Sequence, residues 1–469
     1  MFGRFTLLVA LACWGWCAVS LAAEPIGWRR DGSGTFPNTD PPLHWSTTQN
    51  VRWSTEMPGR SNSQPVPAGN RLFVCADPDW LVCVDADNGK VLWQHRNTDS
   101  DAVGEELWAR VEQEREHADD LQRKRDTLEL RRQELSKQIK QQPDAMELRD
   151  ERKAVAAKIE ALETELKSLT LVARFPKLKT HEITGYTTAT PTTDGRHVWA
   201  IFGNSVVVCY DLDGHRQWIK KLPDFPNSEW GHSTSPLLVG DTLIVIVDAI
   251  VGLDAHTGEE RWRTRFGQSW GSPVHVRVDG VDLIVTANGK VLRVSDGKML
   301  GRGIPLANVS PLIDGRRIYS IQSDGAAHEL PEHIGDSIML TELWKTAPKG
   351  KNHYASPVLR DGIIFTVSSN SVLTLIDAAD GSILSERRLD LGPGTTYPSL
   401  AIAGRMLFVS SDNGTTLVLS ADRDCRELAH NTLEPFVSTP VFYGRRMYVR
   451  THNRLWCIET EKEEDAAKR

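Results

Sequence analysis

The feature that most constrains the fold is a short sequence that the chain repeats. It reads "VDADNGKVLWQ" at 84–94, "LDAHTGEERWR" at 253–263 and "IDAADGSILSE" at 376–386. Each copy follows a small residue and a proline, as in "ATPT", "TSPL" and "GSPV", and in the "YPSL" copy Ser399 is assigned to the proline place. From Pro191 onward the copies are spaced 45, 37, 38, 46, 42 and 41 residues apart. Strand-like repeats of about forty residues predict the blades of a β-propeller.

The residues of the repeat have structural roles. The aspartate can accept hydrogen bonds from the backbone N–H groups of its own turn. The glycine supplies a positive φ, and the tryptophan four residues later can wedge between neighbouring sheets. These structural positions are Asp85, Asp254, Asp377, Gly89, Gly258, Gly381, Trp93, Trp218 and Trp262. Copies four, six and seven lack the tryptophan, which predicts looser packing there.

The two ends of the repeat region complement each other. The last copy, from Pro440 to "RLWCIE", has no tryptophan strand, whereas "NVRWSTEMPG" at 50–59 is such a strand with no blade before it. Pairing the two would place Trp53 in the last blade and remove exposed sheet edges. The sequence therefore predicts an all-β fold, an eight-bladed β-propeller closed by the N-terminal strand.

One interval breaks the period. Pro65 and Pro191 are 126 residues apart, and the excess carries apolar residues in a 4-3 rhythm, from Leu107 to Ile139 and again from Leu148 to Leu169. This pattern predicts an antiparallel α-helical coiled-coil hairpin, inserted after the first blade at 97–180. Residues 24–96 then hold the N-terminal segment, the ring-closing strand and the first blade. Residues 181–460 hold the remaining blades, and 461–469 form a charged disordered tail.

The N-terminus predicts export. Arg4 precedes an uncharged apolar run, and small residues follow at Ser20, Ala22 and Ala23, so 1–23 has the pattern of a cleaved signal peptide. A retained membrane anchor is the alternative. No later stretch is long and apolar enough to span a bilayer. The net charge of −7 argues against a nucleic-acid partner. A periplasmic or otherwise extracytoplasmic location follows from these features.

The cysteines do not suggest a metal site. Five remain after residue 23, and no C-x-x-C occurs. Cys83, Cys209 and Cys457 share one repeat position, where small buried side chains are expected. Cys75 and Cys83 could face each other across one hairpin, so a disulfide between them is left open.

The repeats resemble those of the PQQ-like (quinoprotein dehydrogenase-like) β-propeller family, and "GWRRDGSG" near the N-terminus is similar to the segment before the first blade in secreted bacterial members. The resemblance implies either a non-catalytic envelope scaffold or a quinone-dependent dehydrogenase that uses PQQ with Ca²⁺. The dehydrogenases have a vicinal Cys–Cys pair, which this sequence lacks. We therefore expect a scaffold with no cofactor and no catalytic residues. A PQQ-dependent dehydrogenase or quinone-binding sensor, working at the mouth of the central channel, is the alternative.

The residues just before each first strand should surround that channel mouth. They combine aromatic, amide, imidazole and guanidinium groups, a mixture suited to binding; plugging the channel with bulky side chains is the other interpretation. The candidate binding residues are Arg60, Asn62, Tyr186, Trp230, His232, Trp270, Asn308, His353, Tyr354 and Phe436. An envelope or secreted protein is the expected partner, and the coiled coil allows a dimer without requiring one.

Overall fold

The computed structural model describes residues 26–177, 181, 183–223, 231–267 and 269–460. The predicted signal peptide at 1–23 and the predicted tail at 461–469 lie outside these ranges. The described chain is mostly β, with a group of helices after the first complete sheet.

The elements up to the second sheet come in this order. Two strands lie first, β1 (Thr35–Phe36) and β2 (Val51–Glu56). Sheet 1 consists of β3 (Val66–Ala68), β4 (Arg71–Ala76), β5 (Trp80–Asp85) and β6 (Val91–Arg96). The helices are α1 (Asp99–Val103), α2 (Glu105–Gln141), α3 (Met146–Ser168) and α4 (Thr170–Arg174). Sheet 2 consists of β7 (Thr192–Thr193), β8 (His197–Ile201), β9 (Val206–Asp211) and β10 (Arg216–Lys221).

The remaining strands form six further sheets. Sheet 3 has β11 (Leu237–Val239), β12 (Thr242–Ile246), β13 (Ala249–Asp254) and β14 (Glu260–Arg265), and sheet 4 has β15 (Val274–Val278), β16 (Val281–Val285), β17 (Lys290–Arg293) and β18 (Met299–Arg302). Sheet 5 has β19 (Leu312–Asp314), β20 (Arg317–Ile321), β21 (Gly325–Glu329) and β22 (Thr341–Thr346), and sheet 6 has β23 (Val358–Arg360), β24 (Ile363–Val367), β25 (Val372–Asp377) and β26 (Ile383–Arg388). Sheet 7 has β27 (Ala401–Ala403), β28 (Met406–Ser410), β29 (Thr415–Ser420) and β30 (Glu427–Thr432), and sheet 8 has β31 (Val441–Tyr443), β32 (Arg446–Arg450) and β33 (Arg454–Glu459).

The fourth strand of sheet 8 comes from the other end of the chain. Strand β2 pairs antiparallel with β33, and Trp53 lies opposite Cys457. In the other seven sheets, four consecutive strands pair as an antiparallel meander. The first strand has two or three residues in every sheet except sheet 4, where β15 has five.

Tryptophans join successive sheets. Each of five tryptophans on a fourth strand donates its indole N–H to a carbonyl oxygen of the following sheet, at 2.8–3.1 Å: Trp53 to Ala86, Trp93 to Leu212, Trp218 to Ala255, Trp262 to Val294 and Trp344 to Ala378. Each ring also covers a turn glycine of that sheet. A Cβ on Gly258 would lie 2.7 Å from the Trp218 ring, and the φ of Gly258 is +72°. Both the close ring contact and the positive φ therefore require glycine at this position.

The repeat aspartates hold those turns. Asp85, Asp254 and Asp377 each accept a hydrogen bond from the backbone N–H two residues later, at 2.8–2.9 Å. Gly89 and Gly381 have φ of +76° and +77°. At the boundary between sheets 4 and 5, where the tryptophan is missing, Ile338 packs against Gly301 in its place.

The five cysteines within the described residues are buried and free. Cys75 lies opposite Leu81 across the β4–β5 pair, and Cys83 lies opposite Phe73. The two cysteines are therefore out of register, and both are free thiols. The disulfide left open by the sequence is absent, because pairing register rather than proximity along the hairpin decides which side chains meet. Burial raises the pKa of the Cys75 thiol to about 12.

The N-terminal segment spans from sheet 2 to sheet 7. Ile26 bridges to Thr193 of β7, and β1 pairs parallel with β27. Between them, Arg29 is buried and donates from its guanidinium to the carbonyl oxygens of Pro357, at 2.7 Å, and Leu400, at 2.9 Å. These contacts connect the segment to sheets 2, 6 and 7.

The long helices pack antiparallel. His117 of α2 contacts Glu165 of α3, whereas Arg131, further along α2, contacts Glu151. Four side chains of α2 and two of α3 are buried. Among the helices of the described ranges, none is both long and apolar enough to cross a membrane. Because four antiparallel strands begin and end at the same end of a sheet, this helical hairpin projects from the end where the first strands begin.

Candidate functional site

Segments that precede the first strands of all eight sheets surround one cavity of about 420 Å³, here called the axial cavity. Its walls carry hydroxyl, amide and aromatic side chains. The lining residues, in chain order, are Trp28, Asn62, Gln64, Ile183, Thr184, Thr188, Thr190, Ser233, Trp270, Gly271, Ser272, Asn308, Tyr354, Ser356, Tyr397, Ser399, Val437, Ser438 and Thr439. Trp28 also lines a second cavity, with Pro236 and Val274, so the N-terminal segment separates the two spaces.

A chain of hydrogen bonds connects the sheets around the axial cavity. At six junctions between successive sheets, the residue before the repeat proline donates its backbone N–H to the side-chain hydroxyl at the same position in the next sheet, at 3.0–3.1 Å. The pairs are Gln64 to Thr190, Thr190 to Ser235, Ser235 to Ser272, Ser310 to Ser356, Ser356 to Ser399 and Ser399 to Thr439. At six positions, the hydroxyl of the repeat's small residue therefore accepts a bond from the preceding sheet. The hydroxyl oxygen of Ser310 is the exception, since it has no hydrogen-bond partner within the described residues.

This pattern corrects one alignment. The sequence alignment of the repeats assigns Ser399 to the proline position, but Ser399 accepts a hydrogen bond from Ser356 and donates one to Thr439, as the hydroxyl residue does. Leu400 takes the proline place, immediately before β27. The error arose because Pro398 suggested the wrong register; the strand start needs no proline, since its position is set by the intersheet bond.

Four of the ten predicted binding residues line the axial cavity: Asn62, Trp270, Asn308 and Tyr354. The Asn62 side chain donates to the carbonyl oxygen of Ile183 at 2.8 Å, which joins the sheet 1 and sheet 2 segments. The ring of Tyr354 stacks on that of Tyr397, with centroids 5.3 Å apart. Tyr397 was missed because it belongs to the misaligned "YPSL" copy, and Trp28 was missed because it precedes the repeats.

The structure places the other candidates elsewhere. His232 is buried with Nε2 2.7 Å from the carbonyl oxygen of Ile246, and Phe436 is buried in the hydrophobic core. Arg60 and Tyr186 lie next to Asp77, whose carboxylate accepts the backbone N–H of Tyr186. Burial raises the pKa of Asp77 despite these contacts. Trp230 lies outside the described residues.

His353 is also buried, and it makes stability depend on pH. Burial lowers the pKa of its imidazole to about 4, against about 6.5 in an unfolded chain. The unfolded state therefore binds the proton first, so stability should fall as the pH is lowered from about 6.5 to about 4, by about 3 kcal/mol for this residue. Denaturant unfolding at a series of pH values should show that the free energy of unfolding decreases less at low pH in His353→Leu than in the unchanged protein.

The matched control is His44→Leu, since that side chain is exposed. This control should keep the pH slope of the unchanged protein. If the free energy of unfolding depended on pH equally in His353→Leu and in the unchanged protein, His353 would not be the source of this pH dependence.

The axial cavity does not suit the quinone cofactor. Its described lining contains no carboxylate to ligate Ca²⁺ and no cationic side chain to pair with the carboxylates of PQQ. Across the described ranges, no group of three or more His, Cys, Asp or Glu side chains is arranged to hold a metal ion.

Comparisons with known proteins agree with this architecture. The model of a PQQ-like repeat family, described as outer membrane protein assembly factor BamB, matches residues 42–117 and 203–371. The chain belongs to this family. Membership in the BamB family confirms the resemblance drawn from the repeats. The matched ranges leave out most of the helical hairpin.

Individual BamB proteins extend the comparison. The outer membrane protein assembly factor BamB of Yersinia pestis is 25% identical over 300 residues, which are 56% of this chain and 72% of the relative. The crystal structure of BamB from Moraxella catarrhalis has a TM-score of 0.54 at 11% identity, and the match covers 87% of this chain and 99% of that chain. The structural match shows the β-propeller fold.

Proposed function

We propose that this BamB-family protein is an extracytoplasmic, non-catalytic scaffold that holds an envelope protein with its helical hairpin and the neighbouring propeller loops. The curated relative is named as an outer membrane protein assembly factor, so the partner we propose is a protein of outer-membrane assembly. The signal-peptide pattern at 1–23 supports export.

The base of the scaffold is a ring of eight blades in this proposal. All eight sheets contribute to the axial cavity, and β2 completes sheet 8. Trp53 of that sheet donates to Ala86 of sheet 1, so the last blade contacts the first. A closed ring leaves no free inner edge and gives the loops fixed positions.

The observation that carries the proposal is the firm attachment of the hairpin to this ring. The ammonium of Lys221, at the end of β10, lies 2.6 Å from the carboxylate of Asp99 in α1, and both side chains are mostly buried. Thr98 and Asp101 form a capping box at the start of α1, which fixes where the helix begins. These contacts fix α1 to sheet 2, and a single residue separates α1 from α2, so the base of the hairpin has a fixed attachment point.

The outer part of the hairpin has a small core of its own and an apolar groove beside it that a partner helix could occupy. Leu135, Val155 and Ile159 form its own small core. Beside that core, Leu128, Ala161 and Leu162 line a shallow groove flanked by Lys124 and Lys158. Leu130 is 68% exposed. Apolar side chains edged by charges are typical of a surface that receives another helix.

A purification from native envelopes tests this proposal. The tagged chain should retain outer-membrane assembly proteins, and a variant with 101–176 replaced by a short linker should lose at least nine-tenths of them. Tyr443→Ala is the control, because Tyr443 is exposed at the end of β31, away from the hairpin, and this variant should retain the same proteins. Equal recovery with and without the hairpin would contradict the proposal.

A further inference from the structure

We propose that the axial cavity is a binding site for a neutral sugar unit of one or two rings. The site is separate from the hairpin and goes beyond the scaffold role proposed above.

The wall of the axial cavity carries a set of hydroxyl groups whose protons are not used in hydrogen bonds to the protein. Five hydroxyls that line the cavity already accept a backbone N–H from the preceding sheet: Thr190, Ser272, Ser356, Ser399 and Thr439. Within the described ranges, none of the five donates its own hydrogen to a protein acceptor. Since a hydroxyl is both donor and acceptor, each has a proton available for an acceptor in the cavity.

An acceptor is available as well. The Oδ1 atom of Asn62 is buried and has no hydrogen-bond partner in the part of the chain that the structure describes. The Nδ2 atom of the same amide donates to the carbonyl oxygen of Ile183. A buried polar atom without a partner is costly, by about 1–3 kcal/mol. A ligand hydroxyl that donates to Asn62 would remove this cost. The cavity therefore favours a ligand that both donates and accepts hydrogen bonds, as sugar hydroxyls do.

The arrangement of these groups favours a sugar over a peptide. The hydroxyls come from sheets 2, 4, 6, 7 and 8, so they surround the cavity. A pyranose carries hydrogen-bonding groups around its whole perimeter, whereas an extended peptide carries them along two edges only. The aromatic rings of Trp28, Trp270, Tyr354 and Tyr397 also line the cavity, and the C–H faces of a pyranose pack well on such rings.

The charge and the size of the cavity further restrict the class of ligand that it can bind. The described lining includes no acidic or basic side chain, so a charged ligand would lose its hydration without gaining an ion-pair partner. A neutral ligand avoids that loss. The volume of about 420 Å³ lies within the roughly 300–1,000 Å³ common for small-ligand sites.

Calorimetric titration tests the proposal with three neutral probes: the disaccharide of N-acetylglucosamine, maltose, and an acetylated, amidated Ser-Gly-Ser peptide. We expect at least one disaccharide to bind with a dissociation constant below about 1 mM, and the peptide not to bind. Trp270→Ala and Tyr354→Ala should each weaken binding at least tenfold. Tyr443→Ala is the control, because Tyr443 is 51% exposed and lines a different cavity, and it should bind as the unchanged protein does.

Three results would overturn the proposal: no binding of either disaccharide at 10 mM, binding of the peptide alone, or undiminished sugar binding by both cavity variants. Tyr354 is 36% exposed, so its variant should fold normally, and this can be checked by circular dichroism. The chain with 101–176 replaced by a linker should keep its sugar affinity. Failure of the sugar proposal can thus be distinguished from failure of the scaffold proposal.

Discussion

Replacing Trp53 with alanine is expected to lower the free energy of unfolding by about 3–5 kcal/mol. Trp53 is 8% exposed. It lies opposite Cys457 within sheet 8, and its ring covers Gly89 of sheet 1. Its indole N–H donates to Ala86. The substitution would therefore leave a cavity between the last and first sheets and remove the bond that joins them.

Denaturant unfolding followed by circular dichroism measures this loss. Trp53→Phe keeps an aromatic ring over Gly89 and removes the N–H donor, so it should cost roughly half as much or less. Hydrogen exchange of β2 should become faster in the alanine variant than in the phenylalanine variant. If the free energy of unfolding of Trp53→Ala lay within about 0.5 kcal/mol of that of the unchanged protein, the contact between sheets 8 and 1 would not contribute to stability as the structure indicates.

Replacing Arg29 with methionine is expected to cost about 2–4 kcal/mol, because two buried carbonyl groups lose their donor. The guanidinium reaches Pro357 before sheet 6 and Leu400 before sheet 7. Methionine keeps much of the side-chain volume, so the loss reports on hydrogen bonding more than on packing. Burial lowers the pKa of Arg29 to about 9, and the cost of burying this cation offsets part of its bonding energy.

The neighbouring residue gives a matched control for Arg29. Arg30 is only half-buried and forms an ion pair with Asp31, so Arg30→Met should change stability by about 1 kcal/mol or less. Hydrogen exchange at 26–36 should speed up in Arg29→Met and stay nearly unchanged in Arg30→Met. Equal effects of the two substitutions would show that Arg29 does not hold the N-terminal segment.

The repeat made the sheets predictable because its aspartate, glycine and tryptophan act within a few residues of each other. Asp254 holds its own turn and Trp262 lies four residues past Gly258, so a local pattern reports a local structure. The N-terminal segment was harder to interpret. Its pairings with β7 and β27 join residues that are far apart in the sequence, and "GWRRDGSG" has no periodicity that would indicate where it packs.

The site was predicted in part for a similar reason. Asn62, Trp270, Asn308 and Tyr354 were found because they precede first strands, a position that the repeat defines. The same position also holds residues whose side chains turn inward, such as His353 and Phe436. Side-chain direction in these loops depends on contacts with neighbouring sheets, and a single sequence does not encode those contacts in its spacing.

Site-specific photo-crosslinking in intact cells tests the central claim most directly. A photoreactive residue is placed either at Leu130 on the hairpin or at Asp241 in the β11–β12 turn, which lies at the end of its sheet opposite the hairpin. The scaffold account predicts that a protein of outer-membrane assembly is captured from Leu130 and not from Asp241. Capture of the same protein with equal yield from both positions, or from Asp241 alone, would contradict the account.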